Sequence, residues 1–149
     1  MLDHAGIAAR IPHQGAMCLL DAVVDWSQDA ISCRAVSHVD PANPLRAGNR
    51  LGAAAGIEYA AQAMAVHGAL LAGTDGGARQ GYLTSVRGVI LHVDRLDDLA
   101  GTLDVHAERL SGDAANILYR FAVGHAGRCL LEGRAAVVLD ADARHKERP

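Results

Sequence analysis

Glu58 is the residue in this chain best placed to do chemistry. It stands in Gly56–Gly68 (GIEYAAQAMAVHG), where every other side chain is uncharged and most are alanine, glycine or aliphatic. A carboxylate in apolar surroundings costs free energy unless it is paired or used. Burial also raises its pKa, which suits it to hold or pass a proton near neutrality. On a helix its neighbours are Ala54, Ala55, Ala61, Gln62 and Ala65, so a single amide lies beside it. Gln62, one turn on, can bond the carboxylate or a loop carbonyl and set the helix in place. Of the eight histidines, His67 lies nine residues after Glu58, which at about 100° per residue puts it on the opposite helix face. Of the others, His38, just before a loop, is a weak candidate for a proton-transfer partner. Cys18, Cys33 and Cys129 are odd in number and scattered, as suits reduced thiols in a cytoplasm. With no Cys-x-x-Cys pair and no His-x-x-x-His spacing, no metal site is expected.

The elements that must position these groups can be read along the chain. Met1–Arg10 suits a short helix. Met17–Val24 and Ala30–Val36 read as two strands with a polar turn between them. Asp40–Arg50 (DPANPLRAGNR), with two prolines, is a loop. Leu51–Ala72 is a stretch rich in alanine without proline, the one long helix, with Asn49 as its N-cap. Gly73–Gly81 is a loop. Four strands follow: Tyr82–Val93, Thr102–Leu110, Asn116–Val123 and Cys129–Leu139. Ala141–Pro149 is a charged tail. A helix apolar nearly all round needs a surface that curls about it, and a twisted antiparallel sheet supplies one. The order is an α+β hot-dog arrangement, a long central helix wrapped by a six-stranded antiparallel sheet. Residues 1–149 are expected to form one such domain.

Composition excludes several classes. A net charge of −3 argues against a nucleic-acid binder. No uninterrupted apolar run of about 18 residues exists, and no basic segment followed by an apolar one opens the chain, so a cytoplasmic protein is expected. GTDGG lacks the lysine and hydroxyl residue of a phosphate loop, and no serine sits in a G-x-S-x-G elbow.

Three segments carry a family resemblance. Ile11–Val23 (IPHQGAMCLLDAV) resembles the proline-histidine opening of FabZ-type 3-hydroxyacyl-[acyl-carrier-protein] dehydratases. Gly56–Gly68 resembles their central-helix motif, a glutamate followed four residues on by glutamine, and the late strands match in number and length. Asn43–Glu58 (NPLRAGNRLGAAAGIE) is most similar to a FabZ-like subgroup, the predicted dehydratases of aryl-polyene lipid clusters. The chain departs from the family in one place. FabZ proteins carry a His-Phe-Pro-Gly segment before the helix, and its histidine acts on the substrate. The loop here contains no histidine, and fourteen residues before Glu58 stands Pro44.

The resemblance implies an enzyme that eliminates water from a 3-hydroxyacyl thioester, with no cofactor beyond the phosphopantetheine or coenzyme A that carries the substrate. Glu58 is then the proton donor or shuttle and His13 the base. The thioester carbonyl would meet backbone N–H groups of Leu51, Gly52 and Ala53. Gln62 belongs with this substrate-binding set. Arg46 and Arg50, flanking the helix start, would steer a phosphate or an acidic acyl carrier protein. A homodimer is expected, with the acyl chain along the helix between subunits. The missing loop histidine keeps two alternatives open: a hot-dog thioester hydrolase, or a non-catalytic subunit that supports an active dehydratase as a hetero-oligomer with another hot-dog protein.

Overall fold

The computed structural model describes residues 1–73, 81–113 and 115–139. Its core is one long helix, α2 (Gly56–Ala72), laid across an antiparallel sheet. The sheet comprises β1 (Leu2–Asp3), β2 (Ala22–Trp26), β3 (Ala30–Ala35), β4 (Gly81–Leu91), β5 (Leu103–Gly112), β6 (Asn116–His125) and β7 (Arg128–Leu139). A short helix, α1 (His4–Ala8), follows β1. The spatial order is β1-β2-β3-β5-β6-β7-β4, so the strand that follows the helix in sequence lies at the far edge of the sheet.

Period-two alternation decides which face of the sheet meets the helix. Leu103, Val105 and Ala107 of β5 are buried, as are Ile117, Tyr119, Phe121 and Val123 of β6, while the residues between them face outward. Against them α2 buries Tyr59, Ala60, Ala63, Met64 and Val66. Burying a side chain the size of Phe121 contributes about 1.5–3 kcal/mol. Phe121 lies opposite Gly133 of β7, where an added Cβ would sit 2.9 Å from the ring. Glycine at that position makes room for the aromatic ring.

The structure corrects the expected elements in several places. The sheet has seven strands, not six; the extra one, β1, pairs Leu2 with Val23 and Asp3 with Ala22. The first expected strand begins later, at Ala22, because the Leu19 N–H donates to the Gln62 side chain and the Leu19 carbonyl accepts from the Ser37 hydroxyl. The long helix begins at Gly56, not Leu51. Leu51 and Ala53 instead bond the 94–97 segment: the Leu51 carbonyl accepts from Leu96 N–H and Ala53 N–H donates to the Asp94 carbonyl. A 3-10 turn, Ala53–Ala55, then leads into the helix. Asn49 is not the cap; it sits at φ 62° in the turn that joins Ala47 to Arg50, and Ala55 holds the cap position. The expected loop Gly73–Gly81 and tail Ala141–Pro149 lie almost wholly or wholly outside the described residues.

Candidate active site

Gln62 is the anchor from which the site is built. It is fully buried, accepts the Leu19 N–H at 2.9 Å and donates to the Met17 carbonyl at 2.7 Å. It thereby fastens the segment that follows His13 to the middle of α2. Its Nε2 also lies 3.4 Å from Glu58 Oε1. The aspartate of the opening motif, Asp21, works nearby as a brace, accepting the Val36 N–H at 2.6 Å.

The same Glu58 oxygen meets His13 Nε2 at 3.1 Å. Glu58 is in the first turn of α2, where the positive end of the helix dipole favours a carboxylate. It is not the fully buried mid-helix acid the sequence suggested; its side chain is 35% exposed and that of His13 27% exposed. His13 Nδ1 is enclosed and has no hydrogen-bond partner among the described residues. A histidine whose Nε2 faces a carboxylate carries its proton there as the neutral tautomer. His13 thus meets Glu58 through Nε2 while its other ring nitrogen is enclosed.

Both residues line a cavity of about 560 Å³. Ala9–His13 form one wall. A stripe along α2, from Glu58 through Ala61, Ala65 and Gly68 to Ala69, forms the floor. Tyr82 and Leu83 of β4, Ile117 and Tyr119 of β6 and Val137 of β7 close the side. At 1.5 Å per residue that stripe runs about 16 Å, with the acid at one end, Met64 beside it and small side chains for the rest. The arrangement sets a carboxylate–imidazole pair, the residue types of proton transfer, on the lining of a largely apolar slot.

Other expected residues do not join the site. The N–H groups of Leu51 and Ala53 are committed, the first to Asp97 Oδ1 at 2.9 Å and the second to Asp94, so they cannot receive a thioester carbonyl. Gly52 is exposed in a bridge opposite Arg95. Asp97, which anchors Leu51, is held well below the usual carboxylate range by the Arg95 guanidinium and by that N–H. Arg46 is no phosphate clamp: it donates to the carbonyls of Asp40, Asn49 and His38 and lies 3.9 Å from Asp97. Arg50 is exposed beyond the turn. His38 is buried, bonds the Leu99 carbonyl at 2.7 Å, and is pushed below its ordinary pKa by burial. His67 faces away from Glu58, as its spacing requires, between Tyr119 Oη at 2.7 Å and the Ser27 carbonyl at 2.8 Å. Sequence reasoning missed the strand residues of the cavity wall, which come from segments far apart in the chain. The one local signal was the pair of large side chains, Tyr82 and Leu83, after a glycine-rich loop.

Comparison with known proteins bears on this geometry. The family model of ApeP-like proteins, described as ApeP dehydratase, matches residues 5–146. The chain belongs to the ApeP-like dehydratase family. No curated protein sequence matches it. Among solved structures, this ApeP-like chain is similar to the dehydratase heterocomplex ApeI:P from Xenorhabdus doucetiae. The TM-score is 0.81 at 20% identity, over 95% of this chain and 97% of that one. It is also similar to a mutant of the thioesterase SAV0944 from Staphylococcus aureus (TM-score 0.59, 11% identity, 79% and 91% covered). A hypothetical thioesterase of Streptococcus pneumoniae, solved with coenzyme A, gives 0.54 at 9% identity over 79% and 84%. These likenesses show the hot-dog fold. The ApeP-like chain is a dehydratase-like hot-dog protein, and among its described residues no helix is long and apolar enough to cross a membrane.

Proposed function

We propose that this protein eliminates water from a 3-hydroxyacyl thioester, carried on acyl carrier protein or coenzyme A, with Glu58 as the acid–base group. The observation that carries the reading is the 3.1 Å contact between His13 and Glu58 on the wall of an apolar slot. His13 and Gln62 both approach Oε1 of the Glu58 carboxylate, which leaves Oε2 for substrate. That carboxylate takes the C2 proton. The C–H electron pair forms the C2–C3 double bond, and the 3-hydroxyl leaves as water on receiving a proton back from the same carboxyl. His13 is a positioning residue in this scheme rather than the base the sequence suggested, since its Nδ1 is enclosed. The acyl tail lies along Ala61, Ala65 and Ala69. The test is to incubate the purified protein with a 3-hydroxyacyl thioester and follow loss of one water by mass spectrometry, together with free-thiol release. Enoyl thioester formed by wild type and lost in Glu58→Gln supports the reading; thiol release without enoyl product assigns the protein to the hydrolases.

A second reading keeps the fold and moves the chemistry to a complex. β4 is an edge strand, and Leu83, Ile90 and Leu91 on it are 40–52% exposed. Such an edge is normally paired or covered. The similar ApeI:P structure is a heterocomplex, which favours a second hot-dog subunit at this edge over a second copy of the same chain. If the protein alone forms no enoyl product but does so after mixing with a purified hot-dog dehydratase from its own host, it is a partner subunit. Sedimentation of the pure chain distinguishes monomer from homodimer.

A further inference from the structure

On the outer face of the sheet, about 30 Å along β4 from the cavity wall at Tyr82 at roughly 3.3 Å per residue, three metal-ligating side chains converge. His92 Nε2 lies 2.9 Å from Glu132 Oε2, and Cys129 Sγ lies 3.6 Å from the same oxygen. All three donor atoms fall within 4.8 Å of one another. In a regular strand residues 129 and 132 point to opposite faces. Here Cys129 pairs with Gly124 while Leu131 pairs with Val123, so Leu130 is an extra residue in β7. Leu130 and Leu131 both turn into the core, and Cys129 and Glu132 come out together on the other side. A bulge that re-aims side chains onto one face is a device common next to functional sites.

We propose that His92, Cys129 and Glu132 bind a borderline-soft divalent cation of the zinc class. Imidazole nitrogen, thiolate and carboxylate are the donor types zinc takes, and three protein ligands leave a fourth tetrahedral position for water. Bond lengths of about 2.3 Å to sulfur and about 2.1 Å to nitrogen and oxygen require ligand–ligand edges of about 3.6 Å for S–O and about 3.4 Å for N–O. The sulfur–oxygen edge is already of that size, and the nitrogen–oxygen edge must open by roughly half an ångström. Its role follows from its place in the sheet. β4 loses register with β7 between Arg87 and Ile90, around Gly88 at φ 62°. A cation held by His92 just beyond β4 and by two residues of β7 ties the edge strand down past that irregularity.

The experiment uses the reduced, metal-free full-length chain, titrated with Co²⁺ alone and then with Zn²⁺. One equivalent of Co²⁺ should bind with a thiolate-to-metal charge-transfer band that Zn²⁺ abolishes. Cys129→Ser should remove the band, Cys33→Ser should keep it, and His92→Ala or Glu132→Gln should weaken Zn²⁺ binding at least about tenfold, since loss of even an outer-shell partner costs that much. Zn²⁺ should raise the melting temperature of wild type and not of Cys129→Ser. A wild-type protein without the band, or a band unchanged in Cys129→Ser, overturns the proposal and leaves a surface ion pair only.

Discussion

Replacing Gln62 by leucine should destabilise the protein by about 2–4 kcal/mol, a size that follows from its hydrogen bonds. Leucine keeps most of the volume but offers neither acceptor nor donor. The Leu19 N–H is buried and would lose its partner outright, and an unsatisfied buried group costs about 1–3 kcal/mol. The Met17 carbonyl is partly reachable by water, so its loss is worth less, about 1 kcal/mol. Urea unfolding should therefore show a lower midpoint with an unchanged slope. For a chain of this size each kcal/mol moves the melting temperature by about 2–4 °C, so a fall of roughly 5–15 °C is expected. Activity should fall as well, because the segment bearing His13 is no longer fastened to α2. Gln62→Glu keeps an acceptor for Leu19 but turns a buried carboxylate oxygen towards the Met17 carbonyl and towards Glu58, so it should be at least as destabilising as leucine. A leucine variant within about 0.5 kcal/mol of wild type, the range of an ordinary surface change, would refute the anchoring argument.

Glu58→Gln should lower the dehydration kcat by about 10²–10⁴-fold while changing stability by less than about 0.5 kcal/mol, since the side chain is partly exposed; full activity would remove it from the mechanism. His13→Ala should cost about 10²-fold in kcat with KM little changed, the mark of a residue that orients the acid. A larger loss, with a rate that follows imidazole ionisation, would return His13 to the role of base. Stability should fall on acidification below about pH 6.5, the ordinary imidazole pKa. Burial holds His38 and His67 below it, so the unfolded chain binds protons that the folded chain refuses. Each contributes up to about 1.4 kcal/mol per pH unit until its folded pKa is passed. Urea titrations at pH 7.0 and 5.5 would show the slope, and His38→Gln should lessen it.

Much of the architecture was legible because long periodic stretches leave little choice. β5 and β6 alternate cleanly, and an alanine-rich stretch with one acid had to be the central helix. That His13 could act beside Glu58 followed from the family resemblance of the opening segment, and the two meet at 3.1 Å. What failed were local competitions. Leu51–Ala55 has helical composition, but pairing with residues 94–97 offers its backbone other partners. Cys18–Leu20 looks like strand, but the Gln62 side chain takes the Leu19 N–H. Glu58 read as buried because its neighbours are apolar, yet those neighbours are small and line an open slot. No sequence rule foretells that a bulge at Leu130 puts Cys129 and Glu132 on one face.

The placement of β4 at the far edge carries a consequence for assembly of the chain. Leu83 finds its partner at Val137, and every neighbour in the finished sheet lies beyond residue 127. During synthesis, α2 and β4 are therefore made before β5, β6 and β7, the strands that cover them. For much of translation the apolar faces of the helix and a long bare edge strand exist together without a cover. The β5–β6–β7 meander, joined by short turns, closes fastest because its contacts are local. The edge strand is then expected to dock last, by a return across forty residues or more. Nascent chains stalled before residue 128 should be the most prone to aggregate, and the C-terminal strand is the segment whose arrival ends that exposure.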